Sequence, residues 1–306
     1  MEFNTETYLD SLPEDIETID VRNRNLTYLP SLIRFTNLRT LNCCNNQLTS
    51  LPPLPENLKE LHCYNNQLTS LPHLPKKLKK LYCYNNQLTS LPPLNENLEV
   101  LDCYNNQLTS LPPLPEKLEV LDCSDNQSTS LPPLNASLKI LWCSNNQLTS
   151  LPPLPENLEL LDCANSQLTS LPNLPNLNGN FKLLKCNNNQ LTSLPSLNKN
   201  LKELYCSYNQ LTSVPPLNEN LRYFDCNGNP ISEIISGNNI NVIKKQIQTL
   251  NNFRGFYYSL KFKKQFRHLL WVKIREPKIM EKYHPSYLVE NLDEDMDLDA
   301  FLENWL

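Results

Sequence analysis

The chain has 306 residues, with 25 Pro against only 4 Gly, 11 Cys, and 19% charged residues at a formal net charge of -5. Four glycines cannot build a phosphate-cradling loop, and neither the dinucleotide nor the P-loop pattern occurs, which argues against the common nucleotide chemistries. A hydrophobic content of 40% supplies a core, and the charge is too low for a disordered chain.

The first residues, Met1 to Thr7, carry no basic n-region and no apolar run. They do not read as a signal peptide, so the expectation is an intracellular protein with reduced thiols. The odd Cys count agrees with unpaired thiols. No transmembrane run is present. Residues 1–15 read as a lead-in.

From residue 16 to about 235 the chain repeats. Cys43, Cys63, Cys83, Cys103, Cys123, Cys143 and Cys163 are spaced by 20, Cys186 follows after 23, and Cys206 and Cys226 return to 20. One complete copy has Leu58, Leu61, Cys63, Asn66, Leu68, Leu71 and Pro72. This pattern resembles the leucine-rich repeat, in the short form found in bacterial effectors, with Cys in one Leu slot. The resemblance covers about eleven repeats. It implies an α/β repeat solenoid with a parallel concave β-sheet, an extended, polyproline-like convex side and a helical C-terminal cap.

The spacing has a physical reading. Leu61 and Cys63 alternate with Glu60, His62 and Tyr64, the period of a strand with Leu and Cys inward. Pro72 and Pro75 favour an extended return over a helix. One coil orders about 20 residues at about 1–2 kcal/mol each. Its leucines repay this only when both sides are covered, so coils must stack and the ends need caps. The first repeat, with Ile16, Ile19, Val21 and Arg24 in the repeat slots, reads as the N-terminal cap.

Asn46, Asn66, Asn86, Asn106, Asn126, Asn146, Asn189, Asn209 and Asn229 form a column. In this repeat family such an inward Asn bonds backbone groups of neighbouring coils, so the reading is a structural ladder. Ser166 breaks that column just before the lengthened return from Asn173 to Asn180, where a bulge is expected. Ser128 breaks the Leu column and is expected to leave a void.

The Cys column reads as a set of small buried hydrophobes. Thiols stacked about 4.8 Å apart do not converge on a metal ion. Cys44, beside Cys43, is expected to point outward and to react. Cys123, Ser124 and Asp125 match the nucleophile string of effector-type ubiquitin ligases, but Cys123 lies in the inward column. The four His have no metal-ligand spacing. The acidic run Asp293 to Asp299 lacks the Gly and Glu of a calcium loop.

The outward strand positions form three columns. The first carries Val100, Val120, Ile140, Leu160 and Leu183, an apolar stripe about 20 Å long. The second carries Tyr82, Asp102, Asp122, Trp142 and Asp162, and the third Tyr64, Tyr84, Tyr104 and Ser124. Aromatic anchors beside an apolar stripe mark a protein-binding surface. The three Asp disfavour nucleic acid on this face.

Beyond 236 the repeat stops. Ile240, Ile243, Ile247 and Leu250 recur at helical spacing, so a helix is expected over the last coil. A second helical stretch, Ser259 to Ile274, is basic and aromatic. Residues 240–282 carry 11 basic and 2 acidic groups, and residues 283–306 carry 7 acidic groups and no basic one. The ending, Lys282 to Leu288 and Asp297 to Trp305, resembles the C-terminal tail of repeat proteins of giant amoeba-infecting DNA viruses (the mimivirus type). That resemblance implies a viral protein in the host cytoplasm or the virion, and brings no catalytic residues.

The expected organisation is a lead-in at 1–15, a solenoid at 16–235 and a helical cap with an acidic tail at 236–306. The expected function is a non-enzymatic scaffold binding a protein partner on the concave face. No cofactor, metal or small-molecule substrate is expected. The alternatives are virion assembly through the basic and acidic C-terminal segments, or an adaptor recruiting host machinery.

Overall fold

The computed structural model describes residues 4–175, 180–235 and 239–270, with side chains through Arg254 and at Lys261. Each coil contributes one short strand. These are β1 (Thr18–Asp20), β2 (Thr40–Asn42), β3 (Glu60–His62), β4 (Lys80–Tyr82), β5 (Val100–Asp102), β6 (Val120–Asp122), β7 (Ile140–Trp142), β8 (Leu160–Asp162), β9 (Leu183–Lys185), β10 (Glu203–Tyr205) and β11 (Tyr223–Asp225). They form one 11-stranded sheet in sequence order. Each pairs in parallel with the next and in register, so Leu61 lies between Leu41 and Leu81. The expected solenoid of stacked coils is the observed fold.

The alternation that defines a strand places the central Leu and the following Cys inward. Leu41, Leu61, Leu81 and Leu101, with Cys43, Cys63, Cys83 and Cys103, are fully buried. Leu58, Leu68, Leu78 and Leu88 fill the space between sheet and return limb, also fully buried. Phe35 and Phe181 are the largest fully buried side chains.

Two devices turn the chain almost without glycine. After most strands the first Asn of the pair takes positive φ, from Asn23 at 57° to Asn188 at 54°, and Asp125, Tyr208 and Gly228 take it in the other three coils. Asn is the residue after Gly that best tolerates this region, because its short amide bonds locally. The return closes with a turn in which Leu58 N–H donates to the Pro55 carbonyl at 3.1 Å. Where Asn replaces that Pro, its side chain substitutes for the ring by making an Asx turn. The Asn97 and Ser137 N–H groups donate to Asn95 Oδ1 and Asn135 Oδ1 at 2.8 and 2.9 Å.

The second Asn of each pair ties its own coil to the preceding one. Asn66 Nδ2 donates to the carbonyls of Cys43, Cys63 and Tyr64 at 3.1, 3.1 and 3.2 Å. Its Oδ1 accepts from Leu48 N–H at 3.0 Å. The same set recurs at Asn86, Asn106, Asn126, Asn146, Asn189 and Asn209. Ser166 donates to the Asn146 carbonyl at 3.4 Å and makes none of these bonds. Ser128 is fully buried, and its Oγ donates to the Leu108 carbonyl at 3.3 Å. The bulge expected from Asn173 to Asn180 centres on 176–179, outside the described residues.

Contacts divide the chain into two compact units, Met1–Gln248 and Thr249–Leu306. In the first, the lead-in holds a helix, α1 (Thr5–Asp10), whose N-terminus is capped by Asn4 Oδ1 accepting from Thr7 N–H at 2.9 Å. Leu9 is buried, and Arg34 donates to the Leu9 carbonyl. After β11 a short 3-10 turn, Pro230–Glu233, buries Ile231.

The helix α2 (Ile240–Leu270) follows. Its opening turns cover the last coil as expected: Ile247 is buried, and Lys244 Nζ donates to the Glu219 and Leu221 carbonyls at 3.0 Å each. The two expected helical stretches are one helix through Leu270. Asn251, Asn252 and Gly255 lower helix propensity without breaking the ladder, because no proline intervenes. The ending from Lys282 to Trp305 lies outside the described residues.

Candidate functional site

The first and third residues of each strand face away from the core, where the repeat does not dictate identity. Inward, Leu and Cys recur in coil after coil. Outward, the second column runs His62, Tyr82, Asp102, Asp122, Trp142, Asp162 and Lys185, set side by side by the register.

The aromatic residues stack along the coils, since in-register parallel strands place equal positions about 4.8 Å apart. Tyr64 and Tyr84 stack at 4.3 Å between centroids, and Tyr84 and Tyr104 at 4.8 Å. Tyr82 stacks instead with His62 in the second column, at 4.7 Å. The expected Tyr cluster is therefore two adjacent stacks. Beside them Glu60 pairs with Lys80 at 3.0 Å, which holds the Glu60 carboxyl below its usual range.

The apolar stripe is half-buried. Val100, Val120, Ile140, Leu160 and Leu183 all point outward, yet each is partly covered. Equal positions in neighbouring coils shield one another, so alternation sets the side of the sheet and not the exposure.

Asp102 and Asp122 are half-buried neighbours in register, and neither has a cationic partner among the described residues. Burial first, and the neighbouring Asp122 charge second, push the Asp102 carboxyl up to about 7. Its Oδ1 is buried with no hydrogen-bond partner. Burial also raises Asp122, against the bonds it accepts from Ser124, whose N–H lies 3.0 Å from Oδ1. Asp162 differs, with Lys185 Nζ at 3.6 Å. Trp142 stands between Asp122 and Asp162.

Cys44 corrects the sequence reading. It is fully buried. Its thiol accepts from Asn45 Nδ2 at 3.7 Å, and the Tyr64 hydroxyl engages it, which raises the Tyr64 phenol. A short side chain in this column is covered by the longer ones beside it. All eleven thiols are free and buried. Burial raises Cys43 to about 12 and keeps Cys123 far from the thiolate form. Cys123 Sγ donates to the Trp142 carbonyl at 3.5 Å, so the ligase-like string is a product of the period. Among the described residues no three His, Cys, Asp or Glu side chains converge as a metal site would require.

A second Asn ladder escaped the sequence reading. Asn65 Nδ2 donates to Asn45 Oδ1, Asn85 to Asn65 and Asn105 to Asn85, at 2.6, 2.6 and 2.7 Å. The signal was the Asn doublet of the repeat, of which only the second member was assigned.

Two family descriptions match the chain. Leucine Rich repeats (2 copies) matches residues 56–96, 96–136 and 199–252, and Leucine Rich Repeat matches 37–58 and 137–158. No curated protein matches. Among solved structures, YopM from Yersinia enterocolitica WA-314 is 39% identical with a TM-score of 0.68, over 72% of this chain and 48% of that one. YopM of Yersinia pestis, a leucine-rich effector protein, is 37% identical with a TM-score of 0.64, over 70% of this chain and 61% of that one. This chain thus spans about half and about three fifths of the two YopM chains. The functional domain of InlJ from Listeria monocytogenes, which includes a cysteine ladder, is 28% identical with a TM-score of 0.53, over 69% of this chain and 53% of that one.

Proposed function

The chain belongs to the leucine-rich-repeat family, and on that premise we propose a non-enzymatic scaffold that binds a protein partner on the outward face of β3 to β8. The observation that carries this reading is the Asp102–Asp122 pair. Two half-buried carboxylates side by side, without a cation, destabilise the free protein, and a partner's Lys or Arg seated there relieves that cost. The stacked tyrosines and Trp142 supply anchors of the kind that dominate protein interfaces. The half-buried stripe from Val100 to Leu183 supplies the apolar floor. The partner surface that fits is basic beside apolar. Intracellular action and a virus-encoded origin belong to the same proposal, supported by the free thiols and by the ending at 282–305.

Replacing Tyr82, Tyr84 and Trp142 together by Ala tests the reading. The expected result is loss of partner co-purification from lysate at an unchanged strand signature in circular dichroism. Retention of every partner by the folded triple variant rejects this face.

A further inference from the structure

A separate feature lies along the edge of the same sheet, one position before the strands. The residues there are Glu17, Arg39, Lys59, Lys79, Glu99, Glu119, Lys139, Glu159, Lys182, Lys202 and Arg222. Backbone bonds set them side by side, as where Lys59 N–H donates to the Arg39 carbonyl and Lys79 N–H to the Lys59 carbonyl, both at 2.7 Å. Eight of the eleven are committed in pairs. Arg39 pairs with Glu17 at 3.0 Å, Lys79 with Glu99 at 2.6 Å, Lys139 with Glu119 at 2.7 Å and Lys182 with Glu159 at 2.9 Å. Three remain, Lys59, Lys202 and Arg222, and of these Lys59 is seated between Arg39 and Lys79.

Next to this row stands a second, Asn37, Asn57 and Lys77. Lys77 Nζ donates to Asn57 Oδ1 at 2.6 Å, while Asn57 Nδ2 donates to the Thr36 carbonyl at 2.6 Å. Lys77 thus reaches back across a coil and finds an amide in place of a carboxylate. Asn37, Arg39, Asn57, Lys59 and Lys77 line an open hollow of about 220 Å³. The arrangement is local. Two coils on, where Lys117 Nζ likewise donates to Asn97 Oδ1 at 2.7 Å, Lys79 and Glu99 stand where Arg39 and Lys59 do, so a carboxylate neutralises the same geometry.

We propose that this hollow is a binding site for a phosphate monoester or inorganic phosphate. Cations from three coils surround it, and two of them, Lys59 and Lys77, have no carboxylate partner among the described residues. A tetrahedral dianion can meet Lys59, Lys77 and the Arg39 guanidinium at once, and Arg39 adds the planar fork that suits phosphate oxygens. A singly charged carboxylate has two oxygens and cannot answer all three. The site stands whether or not the outward face binds a protein.

Nuclear magnetic resonance titration of the ¹⁵N-labelled full chain with sodium phosphate, at constant ionic strength, tests it. Saturable shifts are expected at the amides of 37–39, 57–59 and 77–79. Lys59→Gln and Lys77→Gln are each expected to weaken binding about tenfold, the factor carried by one charge-assisted contact. Lys117→Gln, a cation in the row of Lys77 two coils on, is expected to bind as the parent does. Binding of a phosphoserine peptide to the same amides more tightly than phosphate assigns the group to a protein-borne source, and equal strength assigns it to free phosphate. Shifts that fail to saturate, shifts unchanged in the folded Lys59 and Lys77 variants, or acetate binding as tightly as phosphate overturn the proposal.

Discussion

Asn126 Nδ2 donates to the Cys103 carbonyl of the preceding coil at 3.1 Å. That carbonyl also accepts from Asn106, at 3.1 Å, and the Cys123 carbonyl accepts from both Asn126 and Asn146. The acceptors of the ladder are therefore doubly served. The donor side is not: Leu108 N–H has Asn126 Oδ1, at 2.9 Å, as its partner. Asn126→Ala is expected to cost about 2 kcal/mol, the penalty of one buried unsatisfied N–H with its lost bonds. Urea unfolding checks it. A loss below about 0.5 kcal/mol would mean that the ladder does not hold the coils.

The broken rung at Ser166 makes the converse case. No Asn occupies this position, and Leu148 N–H, in a fully buried residue, is left without the acceptor its equivalents have. Ser166→Asn is expected to raise stability by about 1 kcal/mol. A lower melting temperature would show that this coil has adapted to Ser.

Ser128 occupies a Leu position in the core. Its hydroxyl bonds the Leu108 carbonyl, but that carbonyl also accepts from Gln127 N–H at 2.9 Å. Ser128→Leu therefore orphans no buried group, and adds a side chain whose burial contributes about 1.5–3 kcal/mol before packing losses. A net gain of about 1 kcal/mol is expected. An unchanged or lower melting temperature would mean that the neighbouring side chains have closed over the position and leave no room for Leu.

Asp102 gives the protein a pH dependence of defined sign. Its carboxyl is raised to about 7, above an unfolded value of about 3.9. The folded state then binds the proton more tightly, so the contribution is full below the unfolded value and is lost as pH rises through about 7. Asp102→Asn is expected to raise the melting temperature at pH 8 and to change it little at pH 5. An equal effect at both pH values would mean that Asp102 is ordinary.

The parts of the fold that were legible in the sequence are those the period enforces. Leu61, Cys63 and Asn66 each recur at one spacing because each meets the same neighbour in every coil. Exposure was harder to read. Alternation puts Cys44 and Val120 outward, yet what covers them depends on Tyr64, Asn45 and the equal positions of adjacent coils. The cap at Asn4 was readable from the Asn before Thr5 and Glu6, a pattern too short to stand out beside the repeat. The excess cation at Lys59 emerges only when charges a full coil apart are paired, since in linear sequence its neighbours are Leu58 and Glu60.

Hydroxyl-radical footprinting of the partner-bound protein against the free protein tests the binding face most directly. Tyr28 and Tyr208, which lie off the strand columns and are 56% and 63% exposed, serve as internal references. The expected result is several-fold protection of Tyr82, Tyr84 and Trp142 on binding, with Tyr28 and Tyr208 modified as before. Protection of Tyr28 or Tyr208 with Trp142 unchanged would contradict it.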